Sequence, residues 1–172
     1  MTAITIAPRN TSGISMRIAN LKDAIQITTV INAAFAGSEG FFVEGNRIDL
    51  ESVHSFLETG NFFLAESDGM ILGCVYVEPR GDRAYLGLLA VDPARQNSGL
   101  GSVLMNAAED YCRALGHSFM DIKIVNLRHE LLGFYQRRGY GEAGTSPFPA
   151  HVQTKIPCHF IDMSKPLRKN AL

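Results

Sequence analysis

Cysteine is scarce in this chain, and where it occurs it makes no pattern. Cys74, Cys112 and Cys158 are odd in number and widely spaced, with no C-x-x-C pair for zinc or redox chemistry. They read as reduced thiols, mostly buried, of a cytoplasmic protein. An excess of charge is missing as well: 16 Lys and Arg face 17 Asp and Glu, for a net charge of −1. No bulk field therefore draws the chain to nucleic acid or to an anionic membrane, although a local basic patch stays open. No apolar run approaches the ~20 residues that span a bilayer. Met1 to Asn10 lacks the basic start and apolar core of a signal peptide. His54, His117, His129, His151 and His159 have no paired spacing on one helix face, so no metal site is expected. Internal repeats and low-complexity tracts are absent too.

What is present fits one domain. A chain of 172 residues can bury about two-thirds of the surface it exposes unfolded. Met1 to Gly13, rich in Thr, Pro, Asn and Gly, is expected to be a loose lead-in, and residues 14–172 a single domain.

The chain is organised around Tyr85 to Leu115. Tyr85 to Val91 is an apolar run with the character of a buried strand. Asp92-Pro93 stops it, because proline lacks the N–H a ladder needs. A polar, small-residue loop follows, with Gly99 and Gly101 two apart. Leu104, Ala107, Ala108, Tyr111 and Leu115 then recur at helical spacing, and Gly116 stands where a helix commonly ends. Strand, glycine loop and helix together make an anion site. The first amides of a helix lack internal partners, and glycine lets the backbone approach a phosphate. A nucleoside-triphosphate loop would need a lysine after its last glycine, and Ser102 stands there instead. A dinucleotide fingerprint would need a third glycine where Leu104 stands.

The pattern that fits is Q-x-x-G-x-G, from Gln96 through Asn97, Ser98, Gly99 and Leu100 to Gly101. It resembles the acetyl-CoA pyrophosphate loop of the GNAT (GCN5-related N-acetyltransferase) superfamily. A second stretch, ELLGFYQRRGY from Glu130 to Tyr140, is similar to the family's second signature, a tyrosine-bearing helix after strand five. Between the two motifs lies one strand, His117 to Val125. The resemblance runs from Met16 to about Pro166.

The rest of the chain is consistent with it. Ile14 to Ala19 reads as a first strand. Asn20 and Asp23 signal a helix start, with Ala24, Ile27, Ile31 and Ala34 on one stripe and an end near Ala36-Gly37. Gly37 to Ile48 is a loop carrying Phe41, Phe42, Glu44, Asn46 and Arg47; its two aromatics either pack on the core or wall an acceptor pocket. Asp49 caps a helix to Thr59, whose His54 reads as a solvated residue. Asn61 to Ser67 and Met70 to Glu78 form a hairpin at Asp68-Gly69. Arg128 to Arg138 is the last helix. Tyr140 begins a strand that is expected to dissolve into the Gly- and Pro-rich GEAGTSPFPAHVQTKIP, and Cys158 to Ser164 is a final strand.

The resemblance implies a mixed α+β GNAT fold. Its central twisted, mostly antiparallel sheet is splayed between strands 4 and 5 and flanked by helices, with a bulge in strand 4. It implies acetyl-CoA as cosubstrate: the backbone of Leu89, Ala90 and Val91 pairing with pantetheine, the amides from Gln96 to Ser102 holding the pyrophosphate, and Asn126 contacting pantetheine. No metal is implied.

Direct attack by an amine on a thioester needs no enzyme nucleophile, which demotes the cysteines. The attacking amine, with a pKa near ~10.4, must lose a proton, and the leaving thiolate must be stabilised. Tyr135 matches the family tyrosine and is the general-acid candidate; Tyr140 reads as core. Backbone N–H groups near Leu89 or Ala90 could meet the oxyanion. Glu44, beside the acceptor cleft, is the candidate base, or else binds a cationic substrate. The expected activity is acetyl transfer to an amine of a small molecule. The alternatives are a protein N-terminal or lysine acetyltransferase, and a non-catalytic acyl-CoA-binding module. A monomer or homodimer is expected.

Overall fold

The computed structural model describes residues 13–168, so the expected lead-in lies almost wholly outside the described part. Seven strands form one sheet in the order β1-β2-β3-β4-β5-β7-β6. In chain order they are β1 (Ser15–Ile18), β2 (Asn61–Ser67), β3 (Met70–Arg80), β4 (Arg83–Val91), β5 (Phe119–Val125), β6 (Gly141–Pro147) and β7 (His159–Pro166). The helices are α1 (Ala24–Glu39), α2 (Leu50–Thr59), α3 (Leu100–Ala114) and α4 (His129–Arg137). Every neighbouring pair is antiparallel except β4 and β5, which run parallel through the α3 crossover. This is the mixed α+β architecture expected, with its parallel pair at strands 4 and 5.

Local chemistry explains most boundaries. Asn20 and Asp23 make a reciprocal capping box on a short 3-10 turn (Leu21–Asp23), and Asp23 also takes two 2.8 Å bonds from Arg17. Asp49 caps α2 through the Ser52 N–H at 2.7 Å. Gly60 ends that helix where a Cβ would stand 2.3 Å from the Val77 carbonyl, so only glycine lets α2 close onto β3. Asp68 and Gly69 both take positive φ (51° and 74°), as a two-residue primed hairpin requires.

Helices cover both faces of the sheet, which is why β2 reads as an unbroken apolar run. Phe62 and Leu64 pack with Ile27, Ile31 and Val53 under α1 and α2. Phe63 and Ala65 pack with Leu104, Met105 and Ala108 under α3. A third small cluster joins Phe42, Val43 and Val125, with Phe148 against it. Phe42 is thus core, while Phe41 remains 54% exposed.

Two expectations are corrected. Helix α1 runs past Gly37 to Glu39, because Ser38 and Glu39 continue the turn, with Ser38 Oγ donating to the Ala34 carbonyl at 3.2 Å. The segment after Tyr140 does not dissolve at once: Gly141–Pro147 is a full strand on β7, from Gly141 opposite Ser164 to Pro147 opposite His159. It sits at the sheet edge, where Pro147 is tolerated, and it bulges at Gly144. The loop after it returns to the loop after α1. Val43 bridges Thr154, the Glu44 N–H donates to the Gln153 carbonyl (3.0 Å), and the Lys155 N–H donates to the Phe42 carbonyl (2.7 Å).

Candidate active site

The sheet is open where β4 and β5 part. They pair only from Arg83 to Tyr85 against Phe119 to Asp121. Arg83 pins that closed end with bonds to Asp121 (2.6 and 2.5 Å) and Ser164 (2.7 Å). Beyond Tyr85, β5 turns its other edge to β7, and the inner edge of β4 is left without a partner strand. The parting coincides with a bulge. Cys74 faces Ala90 and Tyr76 faces Gly87, so Leu88 and Leu89 both stand against Val75. Leu88 takes φ +48°, a left-handed conformation that costs a leucine about 1–2 kcal/mol. Strain of this kind gathers where backbone groups must be aimed.

Between the strands lies a cleft of about 1000 Å³. One wall is Gly87 to Val91 of β4, and facing it are Ile122 to Val125 of β5 with Leu131, Phe134 and Tyr135 of α4. At its outer end stand Gln96, Asn97, Gly99, Leu100 and Gly101. Asp92 organises this loop by accepting from the Ala94 N–H at 2.9 Å, and Ser98 Oγ donates to the Arg95 carbonyl at 2.5 Å. Asn97 and Gly99 take φ +62° and +82°. The first hydrogen bond of α3 runs from the Val103 N–H to the Gly99 carbonyl (3.1 Å). The N–H groups of Leu100, Gly101 and Ser102 precede it and have no helical acceptor. A Cβ on Gly99 would meet no atom within 4 Å, so the space before these amides is open. Free helix-start amides beside glycines of this kind can accept an anion.

Tyr135 lines the cleft from α4 and is 8% exposed. Its ring is held edge-on between Phe134 (5.1 Å) and Tyr140 (5.7 Å). Among the described residues its hydroxyl has no hydrogen-bond partner. Burial pushes that phenol up to about 12, against the pull of Arg138 and Arg128. Tyr140 is core, as expected, and its hydroxyl donates to Glu109 at 2.9 Å.

Not every candidate residue reaches the cleft. Leu89, Ala90, Val91, Gln96, Asn97, Gly99, Leu100, Gly101 and Tyr135 line it; Ser98, Ser102, Asn126 and Glu44 do not. Asn126 instead clasps the start of β7: its Oδ1 accepts from the His159 N–H (2.9 Å), and its own N–H donates to the His159 carbonyl (3.0 Å). Glu44 is exposed and does not line the cleft. The lining carboxylate among the described residues is Glu39, at the end of α1. Burial pushes Glu39 above the usual carboxylate range, with Arg47 and Arg128 opposing. Arg47 stands 3.3 Å from it. Tyr85, Arg80 and Lys123 complete the inner end of the cleft. Sequence patterns did not single out these three or Glu39, since each comes from a different element.

Among the described residues no helix is long and apolar enough to cross a membrane. Comparison with known proteins agrees with the geometry. The acetyltransferase (GNAT) family model matches residues 32–140. An amino-acid acetyltransferase of Azotobacter vinelandii is 30% identical over 114 residues, which are 65% of this chain and 24% of that protein. The chain spans 24% to 55% of the length of the first curated relatives it matches. The ribosomal-protein-S18-alanine N-acetyltransferase of Escherichia coli shares the fold at 17% identity. The TM-score is 0.72, covering 92% of this chain and 96% of that one. A putative acetyltransferase of Salmonella typhimurium, solved with its cofactor acetyl-CoA, shares it at 18% identity. There the TM-score is 0.70, covering 94% of this chain and 98% of that one. Fold, glycine loop and tyrosine-bearing helix agree with a family match over more than half its length: the chain belongs to the acetyltransferase (GNAT) family.

Proposed function

We propose that this protein transfers the acetyl group of acetyl-CoA to an amine of a small molecule by direct attack. The observation that carries the reading is the convergence of three features on one cleft: the unpaired edge of β4, the open amide loop before α3, and the partnerless hydroxyl of Tyr135. The residues present fit acetyl-CoA. The pyrophosphate meets the N–H groups at Gly99 to Ser102, and the amides of the pantetheine arm pair with Leu89 to Val91 as a further strand would. Bound there, acetyl-CoA supplies an activated acyl carbon.

The chain's own groups do the rest. The bulged residues Leu88 and Leu89 line the cleft, and their backbone N–H groups are the donors proposed to meet negative charge gathering on the thioester oxygen. Tyr135 donates a hydrogen bond to the departing sulfur. Glu39 takes the part expected of Glu44: it receives the ammonium proton, and its raised pKa suits that task. A small acceptor is favoured over a protein chain. The loops carrying Val43 and Thr154 are fastened together, and both contribute to the lining through Arg47, Pro149 and His151, which suits an enclosed acceptor better than an extended chain.

Calorimetry with acetyl-CoA, and with NAD as comparison, tests the reading. Micromolar acetyl-CoA binding without an NAD signal is expected, followed by thiol release with an amine panel. A folded sample that fails to bind acetyl-CoA overturns it. Binding without turnover of any amine turns the protein into an acyl-CoA-binding module.

A further inference from the structure

The inner end of the cleft is cationic. Arg47, Arg80, Lys123 and Arg128 line it, against Glu39 as the lining carboxylate. Three of the four cations have a carboxylate partner that stands outside the lining: Glu78 for Arg80 (3.0 Å), Asp162 for Lys123 (3.4 Å) and Glu130 for Arg128 (2.5 Å). The wall therefore turns positive charge toward the acceptor and keeps its counter-charge behind.

Arg47 differs from the others. It stands 3.3 Å from Glu39, yet no directed hydrogen bond joins them: Arg47 Nε and Glu39 Oε2 are both buried without a partner. Its guanidinium is held 5.6 Å from the Phe35 ring and 5.7 Å from the Phe148 ring. Phe148 packs on Phe160 at 5.0 Å, and Lys123 Nζ lies 5.6 Å from the Phe160 ring. One aromatic wall thus sets both cations. A guanidinium beside two rings, with a buried Nε that makes no directed hydrogen bond, has donor capacity to spare for a planar carboxylate.

Tyr85 fixes the distance to the chemistry. Its ring folds back over Gly87, where a Cβ would stand 2.7 Å from the hydroxyl, one residue before the bulge. Arg80 lies 4.3 Å from that ring, and both Arg80 and Arg47 pull against the rise that burial causes in the Tyr85 phenol. The arginines therefore border the point where the acyl carbon is expected.

We infer that the acceptor is an amine that also carries a carboxylate, which Arg47 binds while the amine faces the thioester. The inference rests on the acetyltransferase reading above. A purely cationic amine would face four lining cations against one lining carboxylate, and a neutral one would leave Arg47 Nε without a directed hydrogen bond.

The test is a panel of matched acceptors, each amino acid beside its carboxamide and its decarboxylated amine, assayed by thiol release with saturating acetyl-CoA. The carboxylate member of the productive set should exceed the other two at least tenfold in kcat/KM. Arg47→Gln should raise its KM tenfold or more and erase the preference, with acetyl-CoA affinity unchanged. Arg80→Gln, at an exposed strand end, should weaken the preference in the same direction without risk to folding. Equal or better turnover of the carboxamide or decarboxylated amine overturns the inference and leaves the acetyltransferase reading intact. Turnover of no carboxylate member by protein that binds acetyl-CoA overturns it too. Loss of acetyl-CoA binding itself brings down the reading beneath it.

Discussion

Replacing Tyr135 with phenylalanine removes one hydroxyl, and the surroundings of that hydroxyl set the size of the effect. Burial pushes the phenol up to about 12, so it stays protonated across the working range. A thiolate with an ordinary pKa near ~8.5 is a weaker base than the corresponding phenolate. Moving the proton fully from one to the other is uphill by about 3.5 pKa units, or about 5 kcal/mol. On the proposed mechanism Tyr135 would therefore act by donating a hydrogen bond as charge gathers on sulfur, not by giving up its proton in the same step. A hydrogen bond to a charged group contributes about 1.5–3 kcal/mol, which is about 10- to 150-fold in rate. The variant keeps the ring contacts to Phe134 and Tyr140, so the fold should hold. Thiol release at saturating substrates should show kcat lowered within that range, with acetyl-CoA affinity unchanged by calorimetry. No limb from this phenol should enter the pH profile at or below pH 10. Wild-type kcat in the variant refutes the assignment. A loss of about 10⁴-fold, at the top of the range for positioned acids, refutes the hydrogen-bond account in favour of full proton transfer.

Three further outcomes follow from named contacts. Gly99→Asp places a side chain at φ +82° and a carboxylate before the loop amides; acetyl-CoA affinity should fall at least tenfold, and unchanged affinity in a folded variant would remove the loop from the site. Glu109 is buried and takes bonds from Lys165 Nζ (2.7 Å) and the Tyr140 hydroxyl (2.9 Å). Glu109→Ala leaves both groups unpaired and should cost about 3–5 kcal/mol in denaturant unfolding; a loss under about 1 kcal/mol would mean solvent replaces the carboxylate. Burial pushes Cys74 up to about 12 and Cys112 up to about 11, while Cys158 is partly exposed. A thiol reagent on the folded protein should therefore mark Cys158 first by mass spectrometry, and early labelling of Cys74 would contradict its burial.

Much of the fold was legible because its signals are local. Asp68-Gly69 needs only two residues in left-handed conformation to make its hairpin, and Asp49 needs only the Ser52 N–H to start α2. The buried run Phe62 to Ala65 follows from helices on both faces. Strand β6 gave no such signal. GEAGTSP has no β-branched residue except Thr145, and most of it is exposed. It is a strand because β7 offers an edge from Ser164 to His159, and a partner of that kind leaves no trace in the segment itself.

The site divides along the same line. The loop from Gln96 to Gly101 and the tyrosine of α4 are each set by a few neighbouring residues, and both reach the cleft. The carboxylate that lines the cleft, Glu39, stands five positions before the candidate Glu44, and the end of α1 accounts for the difference. A helix ending at Gly37 puts Glu39 and Glu44 in the same loop, where the choice between them is blind. Packing carries α1 two residues further, although glycine costs about 1 kcal/mol inside a helix. That extra half-turn turns Glu39 into the cleft against Arg47. The chain then pairs with a segment more than a hundred residues later, through Val43 with Thr154 and Glu44 with Gln153. Pairing on that side leaves the Glu44 side chain exposed outside the cleft. The same two pairings join the loop of Arg47 to the segment after Phe148, whose ring lies 5.7 Å from the Arg47 guanidinium, so this wall of the cleft is a product of long-range closure that no local pattern records.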